Sequence, residues 1–119
     1  MAMAAKITIF HNPACGTSRN VLATISDAGH NPEVVEYLKA GWRREQLEVL
    51  LKRMGLAPRD ILRVRGTPAE ALGLTAPTAT DNEILDAMVR HPILVERPIV
   101  VGPKGAALCR PAERVRALI

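Results

Sequence analysis

One stretch near the N-terminus constrains this chain most: a short strand runs directly into a cysteine-bearing turn and then into a helix. Residues 7–10 are β-branched and aromatic, which predicts a strand. Apolar residues at helical spacing begin at Val21 and end before Gly29, which predicts a helix. The loop between them, residues 11–20, carries Cys15. The pattern therefore predicts the first βα unit of an α/β fold, with Cys15 close to the helix N-terminus.

The position of Cys15 favours a reactive thiolate, although a structural role is also open. Unpaired N–H groups and the positive end of the helix dipole stabilise an anion at such a place. His11 and Arg19, four residues to either side, add positive charge. Thr17 and Ser18 offer hydroxyls to an oxyanion, but each also suits a helix N-cap. An isolated cysteine at a turn is also commonly an inert, partly buried small residue.

Composition predicts one soluble domain, residues 1–119, with an anionic partner. With 48% apolar residues, disorder is not expected. The net charge of +4 comes mostly from arginine, but only 3% of residues are aromatic and no basic run occurs, which argues against nucleic acid. Residues 1–6 are too short for a secretory signal, no apolar run has membrane-spanning length, and the two cysteines form no C-x-x-C pair. We therefore expect a cytoplasmic protein with reduced thiols and no membrane contact.

The middle of the chain is predicted to be a helical insertion over about residues 43–91. Residues 32–38 are predicted to form a second strand, parallel to the first because a helix joins them. An amphipathic helix over residues 43–54 then ends at Gly55, and Pro58 opens a short helical turn. Thr67 and Thr80 each begin a capping-box pattern, which predicts two further helices, the first ending at Gly73.

The C-terminal part completes a thioredoxin-like fold. Residues 99–101 and 106–108 are predicted strands joined by a glycine-containing turn, and Pro111 begins a final helix. The order βαβ, helical insertion, ββα predicts an α/β fold with a small mixed four-stranded sheet. In folds of this kind the first helix N-terminus faces the residue before the third strand, which would bring Cys15 close to Arg97 and Pro98.

Three segments in the same order resemble the glutaredoxin-coupled arsenate reductases. They are HNPACGTSRN (residues 11–20), HPILVERPIVV (residues 91–101) and LCRP (residues 108–111). With the preceding strand, the resemblance extends from residue 7 to residue 111. It implies that Cys15 is the catalytic nucleophile and that His11 supports it, helped if the imidazole is protonated.

The resemblance also implies an oxyanion site made of three arginines and the cysteine loop. Guanidinium groups suit a tetrahedral oxyanion because they donate paired hydrogen bonds and stay charged. The implied oxyanion-binding residues are Arg63, Arg97, Arg110, Gly16, Thr17, Ser18 and Arg19.

Several of these assignments have structural alternatives. Arg97 also fits a surface position before a strand, and Arg65 competes with Arg63 for the third arginine. His11 also fits a loop-capping role. Arg110 stands at a helix N-terminus, where a cation is unfavourable unless an anion is near. The resemblance makes Pro98 the candidate cis-proline.

The function implied is reduction of arsenate to arsenite through a Cys15–arsenate adduct, with glutathione as co-substrate and glutaredoxin as partner. Electrons come from outside because the loop has one thiol, and no metal or bound cofactor is called for. Two alternatives stay open: a redox-sensing regulator that binds RNA polymerase, and a glutathione-dependent oxidoreductase without arsenate activity. Ser18 stands where such regulators usually carry a second cysteine. A phosphatase-type loop is excluded because Val21 occupies the position of its arginine.

Overall fold

The structure is a computed structural model that describes residues 6–119. Most of the N-terminal stretch predicted to be too short for a secretory signal, residues 1–5, lies outside the described residues. The chain divides into two compact units: one contains the residues up to Tyr37 together with Arg97–Ile119, and the other is Leu38–Glu96. The predicted insertion over residues 43–91 falls within the second unit.

The predicted mixed four-stranded sheet is confirmed. Its strands are β1 (Thr8–His11), β2 (Glu33–Glu36), β3 (Ile99–Gly102) and β4 (Gly105–Leu108). Their order in the sheet is β2-β1-β3-β4, in which β1 and β2 are parallel and the other neighbouring pairs are antiparallel. The C-terminal end of β1, the start of β3 and the end of β4 therefore lie at one edge of the sheet.

An apolar cluster fixes the first helix, α1 (Gly16–Asp27), in the first unit. Alternate residues of a strand point to the same face of the sheet, and residues three to four apart share one face of a helix. The cluster contains Ile7, Ile9, Val21, Ile25, Val100, Cys109, Val115 and Leu118. Burial of this face sets the start of α1, and with it the position of Cys15.

The second strand is shorter than the sequence predicts. It ends at Glu36, and Tyr37 begins a single helical turn, α2 (Tyr37–Ala40). The Tyr37 side chain is fully buried, and Gly41 follows in the left-handed region with φ 74°. Tertiary burial of the tyrosine therefore overrides the strand preference of residues 37 and 38.

The two longer helices of the second unit lie where the sequence predicts them. They are α3 (Arg44–Met54) and α4 (Asp81–Arg90). Gly55 stops α3 in the left-handed region at φ 70°. At the start of α4, the Glu83 N–H donates to Thr80 Oγ1 (3.2 Å) and the Thr80 N–H donates to Glu83 Oε1 (2.9 Å), so this capping box is confirmed. Pro58–Ile61 forms the predicted short turn as a 3₁₀ helix.

The helix predicted from Thr67 to Gly73 is wrong. This segment is a series of turns, in which Thr67 Oγ1 donates to the Arg63 carbonyl (2.7 Å) and accepts from the Ala69 N–H (3.2 Å). The capping pattern is present, but the interval between Gly66 and Gly73 leaves room for less than two turns. So short a helix does not repay its nucleation cost.

The C-terminal segment is helical, as predicted, but as a 3₁₀ helix over Ala112–Leu118. Val115 and Leu118 are buried from it. The Arg97–Pro98 and Arg110–Pro111 peptide bonds are both cis. Within residues 6–119, no helix is both long enough and apolar enough to cross a membrane.

Candidate active site

A tight turn places Cys15 at the N-cap of α1. The Cys15 N–H donates to the Asn12 carbonyl (3.0 Å), and the Ala14 N–H donates to Asn12 Oδ1 (2.9 Å). Cys15 has extended backbone angles (φ −97°, ψ 122°), which are typical of an N-cap residue. The sulfur lies at the positive end of α1.

A buried network of hydrogen bonds stabilises this turn. Ser18 is fully buried, and its Oγ lies 2.6 Å from His11 Nδ1 and accepts from the Asn12 N–H at 3.1 Å. These contacts occupy the Ser18 hydroxyl, so the oxyanion role predicted for Ser18 is left to its backbone N–H. That N–H donates a hydrogen bond towards the Cys15 sulfur.

Strand register explains why Arg97 and Arg110 lie beside the cysteine loop. Ile99 pairs with Phe10 on one side and with Leu108 on the other, so the residues before β3 lie next to the end of β1 and the residues after β4. Arg110 Nη1 is 3.8 Å from Cys15 Sγ and donates to the Arg97 carbonyl at 3.1 Å. The structure thus brings Cys15, Arg97 and Arg110 together.

The Arg97 side chain contains buried nitrogen atoms that have no hydrogen-bond acceptor among the described residues. Its Nε and Nη1 atoms are buried and have no partner within residues 6–119. A buried polar group without a partner is costly, and a charged one more so. A tetrahedral anion beside Cys15 would supply the missing acceptors, because guanidinium donates paired hydrogen bonds to neighbouring oxygens.

The environment lowers the pKa of Cys15 from 9.0 to about 7. Burial acts in the opposite direction and raises it, but the hydrogen bonds from the Ser18 N–H and from the Arg97 and Arg110 side chains outweigh burial. At pH 7 roughly half of the molecules carry a thiolate, against about 1% for a thiol with the ordinary value. Cys15 is therefore prepared as a nucleophile without any bound ligand.

His11 does not supply the positive charge that the sequence suggests. Burial lowers its pKa and Arg19 lowers it further, while Glu36 acts in the opposite direction. The imidazole is therefore neutral at pH 7, because its usual pKa of 6.5 already lies below that pH. Its link to the site is the hydrogen bond with Ser18, so it supports the loop by position.

The remaining loop residues differ in what they offer an anion. Arg19 Nη1 donates to the Pro13 carbonyl (2.9 Å), so this guanidinium holds the outer side of the turn. Gly16 is exposed and Thr17 is half-buried. Their backbone N–H groups belong to the first turn of α1, where no helical carbonyl is available to them.

Arg63 lies in the second unit, in a network of its own. Its Nη1 donates to Glu96 Oε1 (2.9 Å), and its Nε donates to the Arg65 carbonyl (3.1 Å). Arg65 itself is exposed. The role of Arg63 as third oxyanion ligand, and its priority over Arg65, stay predictions.

Cys109 is a core residue. It is fully buried, and burial raises the pKa of its thiol to about 11, with Arg114 acting weakly in the opposite direction. Such a thiol stays protonated at pH 7 and is a poor nucleophile.

Sequence reasoning missed two residues that bond to predicted site residues, Asn12 to Ser18 and Glu96 to Arg63. Asn12 is 4% exposed and closes the turn through its side chain, its carbonyl and its N–H. The Asn-Pro pair was an available signal, because asparagine before proline favours turn initiation. Glu96 had no local signal, since its partner Arg63 is 33 residues away.

Comparison with known proteins agrees with the fold and the loop. The ArsC family model matches residues 10–118. A protein named "Arsenate reductase" from Rhizobium meliloti (strain 1021) is 55% identical over 109 residues, which cover 92% of this chain and 78% of the relative. The "Arsenate reductase" of Escherichia coli (strain K12) is 47% identical over 113 residues, covering 95% of this chain and 80% of the relative.

Solved structures give the same result. The structure titled "Arsenate reductase from Vibrio cholerae" superposes with a TM-score of 0.92 at 35% identity, covering 98% of this chain and all of that one. The predicted thioredoxin-like fold is thereby confirmed. With a family match over almost its whole length and relatives of about half identical sequence, the chain belongs to the ArsC family.

Proposed function

We propose that this protein reduces arsenate to arsenite, with Cys15 as the nucleophile and glutathione and glutaredoxin as the electron source. One observation carries the proposal: the unpartnered guanidinium atoms of Arg97 are buried beside a thiol whose pKa is lowered to about 7. A nucleophile next to hydrogen-bond donors that have no acceptor suits covalent attack on an oxyanion. The names of the relatives support arsenate as that oxyanion.

Arsenate would be held by charge and by backbone donors. Arg97 offers Nε and Nη1, and Arg110 Nη1 lies 3.8 Å from Cys15 Sγ. The first N–H groups of α1, at Gly16 and Thr17, add neutral donors. In the proposal, Arg63 completes the set as a third arginine.

The first chemical step forms a sulfur–arsenic bond. The Cys15 thiolate attacks arsenic(V), and one arsenate oxygen leaves as water after taking protons from the solvent. Arg97 and Arg110 offset the negative charge that gathers on the remaining oxygens. The product is a covalent thiol-arsenate on Cys15.

The second step supplies the electrons. A glutathione thiolate attacks the Cys15 sulfur, a sulfur–sulfur bond forms, and the sulfur–arsenic bond breaks. The electron pair of that bond stays with arsenic, which leaves as arsenite. Glutaredoxin then takes the glutathione from the mixed disulfide and regenerates the Cys15 thiolate.

An external reductant suits a site with one reactive thiol. Cys109 is buried in the core and protonated, so it does not serve as a resolving cysteine. Every step uses thiols, so the proposal calls for no metal or prosthetic group. The proposal includes a cytoplasmic location, because the scheme needs a pool of reduced glutathione.

The test is arsenite formation from arsenate with glutathione and glutaredoxin. The wild type should turn over, Cys15→Ser should be inactive, and the matched control Cys109→Ala should keep its activity. Turnover with thioredoxin alone, or activity retained in Cys15→Ser, would contradict the proposal. Reduction of glutathione mixed disulfides without arsenite formation would indicate an oxidoreductase of another substrate class. Binding to RNA polymerase without arsenate activity would indicate a regulator.

A further inference from the structure

The Arg19 side chain is exposed, yet its guanidinium group is held against the turn that carries Cys15. Nη1 donates to the Pro13 carbonyl (2.9 Å), and a Cβ placed on Gly16 would lie 3.7 Å from Nη2. Pro13 and Gly16 stand on either side of Cys15 in the chain, and the Arg19 N–H donates to the Cys15 carbonyl (3.0 Å). The guanidinium group therefore lies beside the reactive turn in a defined orientation.

Most of the hydrogen-bonding capacity of this guanidinium group is unused. Its Nε and Nη2 atoms have no partner among residues 6–119. The loop of residues 11–20 contains no acidic side chain that could repel an arriving anion. A guanidinium group donates two parallel hydrogen bonds to the oxygens of a carboxylate. Because the bond to Pro13 already sets the orientation of the Arg19 side chain, binding a carboxylate would restrict its motion only a little further.

The charge of Arg19 is not used on the Cys15 sulfur itself. The groups that lower the pKa of Cys15 are the Ser18 N–H, Arg97 and Arg110. In the proposed scheme, Arg97 and Arg110 also bind the oxyanion that is attached to this sulfur. Arg19 is therefore available to an anionic group that reaches the turn without being bonded to arsenic.

The thiol that attacks Cys15 brings such a group. Glutathione is a small peptide that carries carboxylates a short distance from its sulfur, and its net charge at neutral pH is negative. When its sulfur meets the Cys15 sulfur, the rest of the peptide has to lie over the residues next to Cys15, where the Arg19 guanidinium is exposed. A neutral thiol offers no charged acceptor to this arginine.

We propose that Arg19 binds a carboxylate of the thiol that attacks Cys15, so that the site prefers acidic thiols such as glutathione over neutral ones. The inference rests on the proposed function, since it takes an external thiol as the electron source. Arg19 then contributes to binding of the second substrate, whereas Arg97 and Arg110 contribute to binding of the first.

The experiment compares two disulfides as partners of Cys15 at pH 7, low ionic strength and without arsenate. The Cys15 thiolate attacks one sulfur of oxidised glutathione, the sulfur–sulfur bond breaks, and one reduced glutathione leaves. The product is the same mixed disulfide that the second step of the scheme forms. The neutral reference is bis(2-hydroxyethyl) disulfide, and both rate constants are measured by mass spectrometry in a Cys109→Ala background.

The readout is the ratio of the two rate constants, which cancels any change in the thiolate fraction of Cys15. Arg19→Gln should lower this ratio by about threefold to fivefold, the range expected for an exposed ion pair. Arg19→Lys keeps the charge and should keep most of the ratio. Arg116→Gln removes another exposed arginine of the same unit and should leave the ratio unchanged. In the protein that retains Arg19, added salt should lower the ratio as well.

The outcomes separate this inference from the proposed function. If Arg19→Gln slows both disulfides equally, Arg19 only stabilises the turn and the inference is overturned. A ratio that is insensitive to salt in the protein that retains Arg19, or a Cys15 that forms no mixed disulfide with glutathione, overturns it as well. If the ratio falls as expected but the protein forms no arsenite from arsenate, the carboxylate contact stands and the proposed function fails.

Discussion

Replacing Arg110 by glutamine should raise the pKa of Cys15 from about 7 to about 8. The guanidinium Nη1 lies 3.8 Å from the sulfur. At this distance a unit charge favours the thiolate by about 1 kcal/mol in bulk water and by about 4 kcal/mol at an effective dielectric constant of 20. Cys15 is partly exposed to solvent, so the stabilisation of the thiolate lies near the lower of these two free energies. Since about 1.4 kcal/mol corresponds to tenfold in an equilibrium constant, the pKa should rise by about one.

The assay is the pH dependence of alkylation, together with the ultraviolet absorbance of the thiolate. Both are measured in a Cys109→Ala background, so that one thiol titrates. At pH 7 the thiolate fraction of Arg110→Gln should be about one tenth, against one half without that change. Arg110→Lys keeps the positive charge and should show a smaller rise, and Arg116→Gln, an exposed change on the same C-terminal segment, should show none. A pKa that stays at about 7 in Arg110→Gln would refute the electrostatic reasoning and leave the Ser18 N–H and Arg97 as the cause.

Three further predictions concern stability. Ser18→Ala should lower the free energy of unfolding by about 1–3 kcal/mol in urea denaturation, because His11 Nδ1 and a buried N–H lose their partner; an unchanged midpoint would contradict the network. Thr80→Ala should lower the free energy of unfolding by about 1 kcal/mol because the Glu83 N–H loses its acceptor. A loss below a few tenths of a kcal/mol would show that α4 does not depend on this cap. The wild type should gain stability over Cys15→Ser as pH rises from about 7 to 9.0, where the unfolded thiol binds a proton that the folded state has released. Below pH 7 both states are protonated and the gain should vanish; a difference that is flat across this range would show that the folded pKa is not lowered.

Local signals predicted those elements whose stability is mostly local. Gly55 correctly predicts the C-terminus of α3, and the Thr80 capping box correctly predicts the N-terminus of α4. Both signals act within one helical turn. The same device at Thr67 failed because the segment behind it is too short to become a helix. Tyr37 left the predicted strand because its side chain is buried, which depends on the tertiary structure.

The candidate site likewise combines features that local patterns predict with features that only the tertiary structure sets. The spacing around Cys15 predicted its place at the start of α1. The approach of Arg97 was predicted from the order of the elements and that of Arg110 from the family resemblance, because it follows from strand register, which no local pattern shows. The neutral state of His11 follows from burial and so was out of reach of the sequence.

Cys109 is buried whereas Cys15 is partly exposed, so the number of thiols that react with a reagent reports whether the protein is folded. A reagent added to the folded protein should label one sulfur quickly, and the second only when the apolar cluster between the sheet and α1 opens. The labelling rate of Cys109 then reports how often that core exposes itself, while the fast reaction reports the state of the loop. One molecule therefore carries separate chemical reporters for its folding and for its reactive centre.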